Sequence, residues 1–364
     1  MVFTTPAVHA VRRNFASAHL TYLVEPAAAP VVALNPHLDE LIVAPRRPGI
    51  TGLWSDLALG RRLRAERFDL AIDFHGGPRA SLLTWLSNAP VRVGYEIAGR
   101  SWMYTARVAR PRELRRRHSV ENQWDLLAAA GVGTPPSRTQ FPVEMRVAAD
   151  TAAAVADRLD RAGVHASHDL VVVHVSAGNP FRRWPFESFV SLVAALVRDD
   201  ERRRVVVTSG PSDADAARTV IEAARDRLRC DSEGAAPSIG DSGARGVQPS
   251  DRVLSCGEFS LAELRALVDR AALYIGGDSG PLHVAATARV AIVGLYGPTL
   301  PVRSAPWRDE ICVTESVDAG ELPCRPCEQR VCAPGDFRCL TRIDPDAVLR
   351  AAERALTRSA AAPR

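Results

Sequence analysis

The chain has 364 residues, enough for two domains of ordinary size, with 46% hydrophobic residues and a formal charge of +4. No apolar run is long enough to cross a bilayer as a helix, and so slight a charge gives no argument for nucleic-acid binding. All 46 basic residues are arginine. Schiff-base and lysine general-base chemistry are thereby excluded, and the cations present grip carboxylate or phosphate with a planar fork.

The opening MVFTTPAVHAVRRNF lacks the unbroken apolar core of a signal peptide, so a cytoplasmic protein is expected. Residues 6–15 read as a helix, 19–24 as a strand and 41–44 as a short apolar run. Helical spacing covers 54–67. Residues 69–74 (DLAIDF) read as a buried strand that ends in the turn HGGPR. A helix over 79–86, a strand over 91–93 and a helix over 118–130 follow. This alternation implies a parallel sheet covered by helices. Arg115, Arg116 and Arg117 form a basic cluster that suits either solvent or anionic lipid headgroups.

Residues 131–142 (GVGTPPSRTQFP) carry turn formers and no apolar period, and read as a linker. The expected domains are 1–138, 139–342, and a helix and tail over 343–364. The second alternating set has helices over 148–162, 186–198, 214–228 and 261–271. Its strands cover 170–175, 204–209, 273–275 and 290–296. Residues 231–249 read as a low-complexity surface insert. The last helix opens with Asp344 as N-cap and Pro345 at the first helical position. Two such sheets place ligands beyond the carboxyl ends of their strands. An interdomain cleft is therefore expected, faced by HGGPR, by HVSAGNPFRRWP, by TSGPSD and by the glycine turn at Gly276.

That turn is the most specific signal. In YIGGDSGPLHVAATARVAIVGLYGP, Gly276, Gly277 and Gly280 allow sharp bends and close approach, and Pro281 suits a helix start. The amides of Ser279, Gly280 and Leu282 would face an anion, with Asp278 and His283 at the same mouth.

These motifs, with TTPAVHAVRRNFASAHLTYLVEP, DLAIDFHGGPRASLLTWL, VRVGY, RRWPFESF, VVVTSGPSD and GGDSGPLHVAA followed by VGLYGPT, resemble the ADP-heptose lipopolysaccharide heptosyltransferases, glycosyltransferase family 9. The resemblance implies a GT-B fold of two doubly wound, Rossmann-like α/β domains. It implies metal-independent, inverting transfer of heptose from ADP-heptose to the inner core of lipopolysaccharide, with peripheral inner-membrane contact. Arg182 stands where the family usually has a phosphate-binding lysine. Ser176 and Ala177 occupy the small-residue loop near the phosphates, and Thr299 offers a further hydroxyl. Phe259 takes the place of an apolar adenine contact, and Asp213 that of an acid near the nucleoside. Trp184 and Phe186 read as core residues, and His118 as a helix cap.

The resemblance departs at its start. The family has a strand and a Gly-Asp turn before the helix reading TTPA, and that aspartate is its favoured general base. Here Met1, Val2 and Phe3 run straight into Thr4, Thr5 and Pro6, so the base is not assigned, and Asp73 and His75 are the fallback candidates. A start placed too far downstream or a genuine truncation would each explain it. The rival readings are a non-catalytic nucleotide-sugar binder and a sugar-nucleotide epimerase. Cys324, Cys327, Cys332 and Cys339 have spacing compatible with a structural zinc or with free thiols.

Overall fold

The computed structural model describes residues 1–110, 117–210, 213–234 and 247–361. The chain divides into two compact units, Met1–Arg146 and Val147–Arg364. Arg115 and Arg116 of the basic cluster, Pro211 and Ser212 of TSGPSD, and 235–246 of the insert lie outside the described residues.

The first unit runs α1 (Thr5–Asn14), β1 (Thr21–Val24), α2 (Ala29–Val32), β2 (Glu40–Val43), α3 (Gly49–Ala65), β3 (Leu70–Ile72), α4 (Pro78–Leu86), β4 (Val91–Tyr95), β5 (Ala106–Val108) and α5 (Ser119–Ala129). All its strand pairs are parallel, but the sheet comes in two pieces, β1-β2 and β3-β4-β5. Ile42 of β2, Leu63 of α3 and Leu83 of α4 pack around Leu23. Val93 and Tyr95 of β4 pack on Leu126 of α5 together with Leu70 and Ile72. β3, expected to be buried, is only half-buried along its length, in contrast to the two-sided cover usual for parallel sheets. His118 caps α5: its Nδ1 accepts from the Val120 amide at 3.1 Å, and Glu121 accepts from its own amide at 3.1 Å. This is the capping-box exchange, with histidine in place of Ser or Thr. Arg117 is not spare for headgroups, because it grips both carboxylate oxygens of Asp125 at 2.9 Å.

The second unit runs α6 (Ala149–Arg161), β6 (Asp169–His174), α7 (Phe186–Asp199), β7 (Arg203–Thr208), α8 (Ala214–Gly234), β8 (Val253–Leu254), α9 (Leu261–Asp269), β9 (Leu273–Gly277), α10 (Gly280–Ala285), β10 (Ala291–Tyr296), α11 (Pro301–Ser304), β11 (Thr314–Asp318), α12 (Arg338–Thr341) and α13 (Pro345–Ala361). Its single parallel sheet has the order β11-β10-β9-β6-β7-β8. Valine-rich β6 and β7 are continuous apolar runs because both faces are covered. Val171, Val205, Ile275 and Val293 pack with α7, α8 and α13 in one core. Trp184 joins that core and donates its indole N–H to the Ile343 carbonyl at 3.1 Å, while Phe186 packs at its edge. α13 belongs to the same core through Val348, Ala351, Ala352 and Ala355, so the 343–364 segment is part of this unit. α8 runs six residues past its expected end at Leu228, into the segment read as a loop.

Candidate functional site in the second unit

β10, β9, β6 and β7 are neighbours in the sheet and all point the same way, so the loops after them gather at one edge. The glycines at the end of β9 are sterically required. A Cβ on Gly276 would stand 2.8 Å from the Tyr274 hydroxyl, and one on Gly277 would stand 3.0 Å from the Arg182 carbonyl oxygen. β9 can therefore end directly against the Arg182 loop. Ser279 then stands at the N-cap position of α10 in extended backbone, without a side-chain cap bond, and Pro281 sits in the first turn. The helix start is where the sequence puts it, but α10 has only six residues. The amides of Ser279, Gly280 and Leu282 matter there as individual donors more than as the end of a long dipole.

Asp278 is the centre of the arrangement and is 2% exposed. Its Oδ2 accepts from Thr299 Oγ1 at 2.5 Å and Ser304 Oγ at 3.1 Å. Arg182 Nη1 lies 3.3 Å from the same oxygen and donates to the Asp278 carbonyl at 2.8 Å. His283 Nε2 lies 3.4 Å from Oδ1. Burial pushes the carboxyl up, but His283, Arg182 and Thr299 together hold it below its ordinary range, so it is a carboxylate at neutral pH. Ser304 and Gln329 belong to this constellation and were missed by sequence reasoning. Gln329 Oε1 accepts from Arg182 Nε at 2.7 Å and from Asn179 Nδ2 at 3.1 Å, which fixes the guanidinium.

The other residues expected at the site have partners of their own within the unit. Ser176 lies in a chain of polar contacts: Thr208 Oγ1 to His174 Nδ1 at 3.0 Å, His174 Nε2 to Ser176 Oγ at 3.2 Å, and the Gly210 amide to Ser176 Oγ at 2.6 Å. Its hydroxyl ties the β6 and β7 loops together. Burial holds the His174 imidazole down at about 4, so it is neutral. Ala177 is buried, and its carbonyl accepts from Arg183 Nε at 2.9 Å. Asp213 is paired with Arg183 at 3.0 Å. Phe259 is buried, and the Arg158 guanidinium lies 4.0 Å from its ring centroid. That cation–π contact already covers one face.

Of the fallback bases in the first unit, Asp73 is buried and its carboxylate is occupied. Oδ1 accepts the amides of His75 and Gly76 at 2.9 and 2.8 Å, and Oδ2 accepts from the Tyr104 hydroxyl at 2.6 Å. It shapes the turn after β3 instead of standing open to a proton. His75 is exposed. Among the described residues no three of the cysteine sulfurs come within 4.8 Å of one another. Cys339 sits in the hydrophobic core with α12, where burial and then the neighbouring thiols push its own thiol up. Cys324, Cys327 and Cys332 are on the half-exposed loop before it.

A parallel sheet whose carboxyl-end loops hold a buried acid, an arginine and a histidine beside a glycine turn defines a Rossmann-like α/β unit. The family model described as "Glycosyltransferase family 9 (heptosyltransferase)" matches residues 57–334, and the chain belongs to that family. It is a glycosyltransferase, as the motifs implied. Lipopolysaccharide heptosyltransferase 3 of Escherichia coli is 26% identical over 334 residues, covering 89% of this chain and 88% of that protein. A family 9 glycosyl transferase from Veillonella parvula superposes with a TM-score of 0.77 at 23% identity, covering 98% of this chain and 93% of that one. Escherichia coli ADP-heptose lps heptosyltransferase II gives 0.71 at 17% identity, covering 99% and 96%. These structural likenesses bear out the GT-B fold. No helix among the described residues is long and apolar enough to cross a membrane.

Proposed function

We propose that the chain transfers a heptose from ADP-heptose to the inner core of lipopolysaccharide, with inversion and without a metal in the transfer step. The observation that carries this reading is the buried Asp278 carboxylate, fixed by Thr299, Ser304 and Arg182 beside His283 at a glycine-rich strand end. The donor diphosphate lies against the amides at Ser279, Gly280 and Leu282 and against the Arg182 guanidinium. As the sugar leaves, charge grows on the departing diphosphate, and donors already aimed there stabilise it without reorganising. Asp278 orients Arg182 and His283, and its position next to the helix start lets His283 meet the donor. Relatives lend support: an Escherichia coli heptosyltransferase, WaaC, has been solved with ADP and with ADP-2-deoxy-2-fluoro heptose. The acceptor hydroxyl's proton goes to a base that we assign to no residue, since Asp73 is fully engaged.

The test is ADP release from ADP-heptose in the presence of a heptose-deficient lipopolysaccharide acceptor, with and without EDTA, and the anomeric configuration of the product by NMR. Transfer with inverted configuration that survives EDTA is expected. Asp278→Asn, which keeps the shape and removes the charge, should lower the rate by roughly 10²-fold or more, the loss typical of one preorganised electrostatic group. ADP binding without transfer would overturn the catalytic reading and leave a nucleotide-sugar binder.

A further inference from the structure

The first unit carries a second cluster of chemistry to which the proposed transfer assigns no role. His9 lies in the middle of α1, His37 follows α2, and Glu144 closes the unit. One nitrogen of each imidazole and one Glu144 oxygen all lie within 4.8 Å of one another. His37 Nε2 is 3.1 Å from Glu144 Oε1, and that oxygen is buried with no hydrogen-bond partner of good geometry. The two imidazoles stack with centroids 4.0 Å apart and planes at 11°.

The backbones that carry these side chains are pinned to one face of α1. The Glu144 amide donates to Thr5 Oγ1 at 3.0 Å, one turn before His9. The His37 carbonyl accepts from Arg12 Nε at 3.2 Å, about one turn after it, and the His37 amide donates to Asn35 Oδ1 at 2.9 Å. Phe141 meets the His9 ring edge-on at 5.1 Å. Such outer contacts are what hold ligand side chains in place at a metal centre.

We propose that His9, His37 and Glu144 bind one first-row divalent transition-metal ion, with Zn²⁺ the best fit to two imidazoles and a carboxylate. Three protein ligands leave a fourth position for water. Both imidazoles are in the neutral, ligating form at pH 7. Burial and then Arg13 hold His9 down, while burial, His9, Arg146 and Arg12 hold His37 at about 4. Coordination turns the rings out of their stack so that a nitrogen of each faces the ion. Arg12 is neutralised by Asp39, and Arg13 lies over the Phe141 ring, so Arg146 is the cation that opposes the ion most directly. The ion would clamp three stretches of the first unit that are distant in sequence.

The test uses the full chain carrying Cys230→Ser, Cys312→Ser, Cys324→Ser, Cys327→Ser and Cys332→Ser, which removes the thiols that are not buried, stripped of metal and titrated with ZnCl₂ by calorimetry. One equivalent should bind. Zinc-edge X-ray absorption should show only nitrogen and oxygen ligands at ~2.0–2.1 Å with imidazole outer-shell scattering, and no sulfur at ~2.3 Å. His37→Ala and Glu144→Gln should each weaken binding by more than ~100-fold, and Asn35→Ala, which removes an outer contact, by ~10–100-fold. Circular dichroism checks that each variant folds, and the absorption measurement needs no change to the three ligands. No zinc uptake by the thiol-depleted chain, a sulfur shell, or unchanged affinity in folded His37→Ala would overturn the proposal.

Discussion

Arg182→Ala is the sharpest test of how the donor would be held. Its Nε and Nη1 are spent on Gln329 at 2.7 Å and on the Asp278 carbonyl at 2.8 Å. The side chain is still 30% exposed, which leaves Nη2 to meet a phosphate oxygen. A hydrogen bond to a charged partner contributes about 1.5–3 kcal/mol. At about 1.4 kcal/mol per decade, removing it should raise the Kd for ADP by roughly 10–150-fold. Adenosine lacks the phosphates and should lose less than about threefold, the scale of a neutral contact at about 0.6 kcal/mol. Arg182→Lys should fall between, since it keeps the charge but loses the fork. Asp278 keeps Thr299, Ser304 and His283, so the fold should lose about 1–3 kcal/mol, the cost of taking one donor from a buried carboxylate. Calorimetry with both ligands, beside a thermal melt, reads the two effects separately. Equal losses for ADP and adenosine would refute the phosphate contact.

Two further outcomes follow from buried groups. His174 is buried and held at about 4, whereas the unfolded chain titrates near 6.5. The unfolded state takes up its proton first, so this stability is present above about pH 6.5 and is lost as pH falls toward 4. The full loss is about 3 kcal/mol, and urea midpoints between pH 7 and 4 should fall more steeply for the wild type than for His174→Gln. Identical pH slopes would count against it. Gly94→Ala should destabilise the first unit by ~1–3 kcal/mol, because a Cβ there would stand 2.3 Å from the Tyr104 ring. Tyr104 cannot easily give way, since its hydroxyl bonds both Asp73 and Ser81. A melting temperature equal to wild type would contradict that packing.

The readable parts of the chain were those in which local chemistry decides. Apolar runs marked β6, β7, β9 and β10, and the glycine turn with Pro281 marked the start of α10 within a residue. The cap at His118 was visible from its place before a periodic stretch. β5 and β8 are three and two residues long, too short for a period of two to register. β11 (TESVD) is a polar edge strand with no apolar signature, held by pairing with β10. At the site, Asp278, Arg182, His283 and Thr299 were legible because motif and loop position pointed at them. Ser304 and Gln329 were not, since only tertiary approach brings them to Asp278 and Arg182 from 26 and 147 residues away. The surroundings of Phe259 and of the cysteines were not legible for a related reason. Sequence carries the type and spacing of a side chain, but not that Arg158 lies over a ring or that Cys339 turns into the core.

The 320–330 segment reaches the donor loops twice. The Arg325 side chain is 3% exposed, and its guanidinium donates to the carbonyls of Gly320 and Thr299 at 2.7 and 2.9 Å. Gln329, four residues on, steadies Arg182 from the other side. The cysteine-bearing strap and the glycine turn are thus mechanically in series. Arg325 holds the Thr299 backbone and Gln329 the Arg182 guanidinium, so under the function proposed above a substitution in the strap should change nucleotide affinity without touching the ligand.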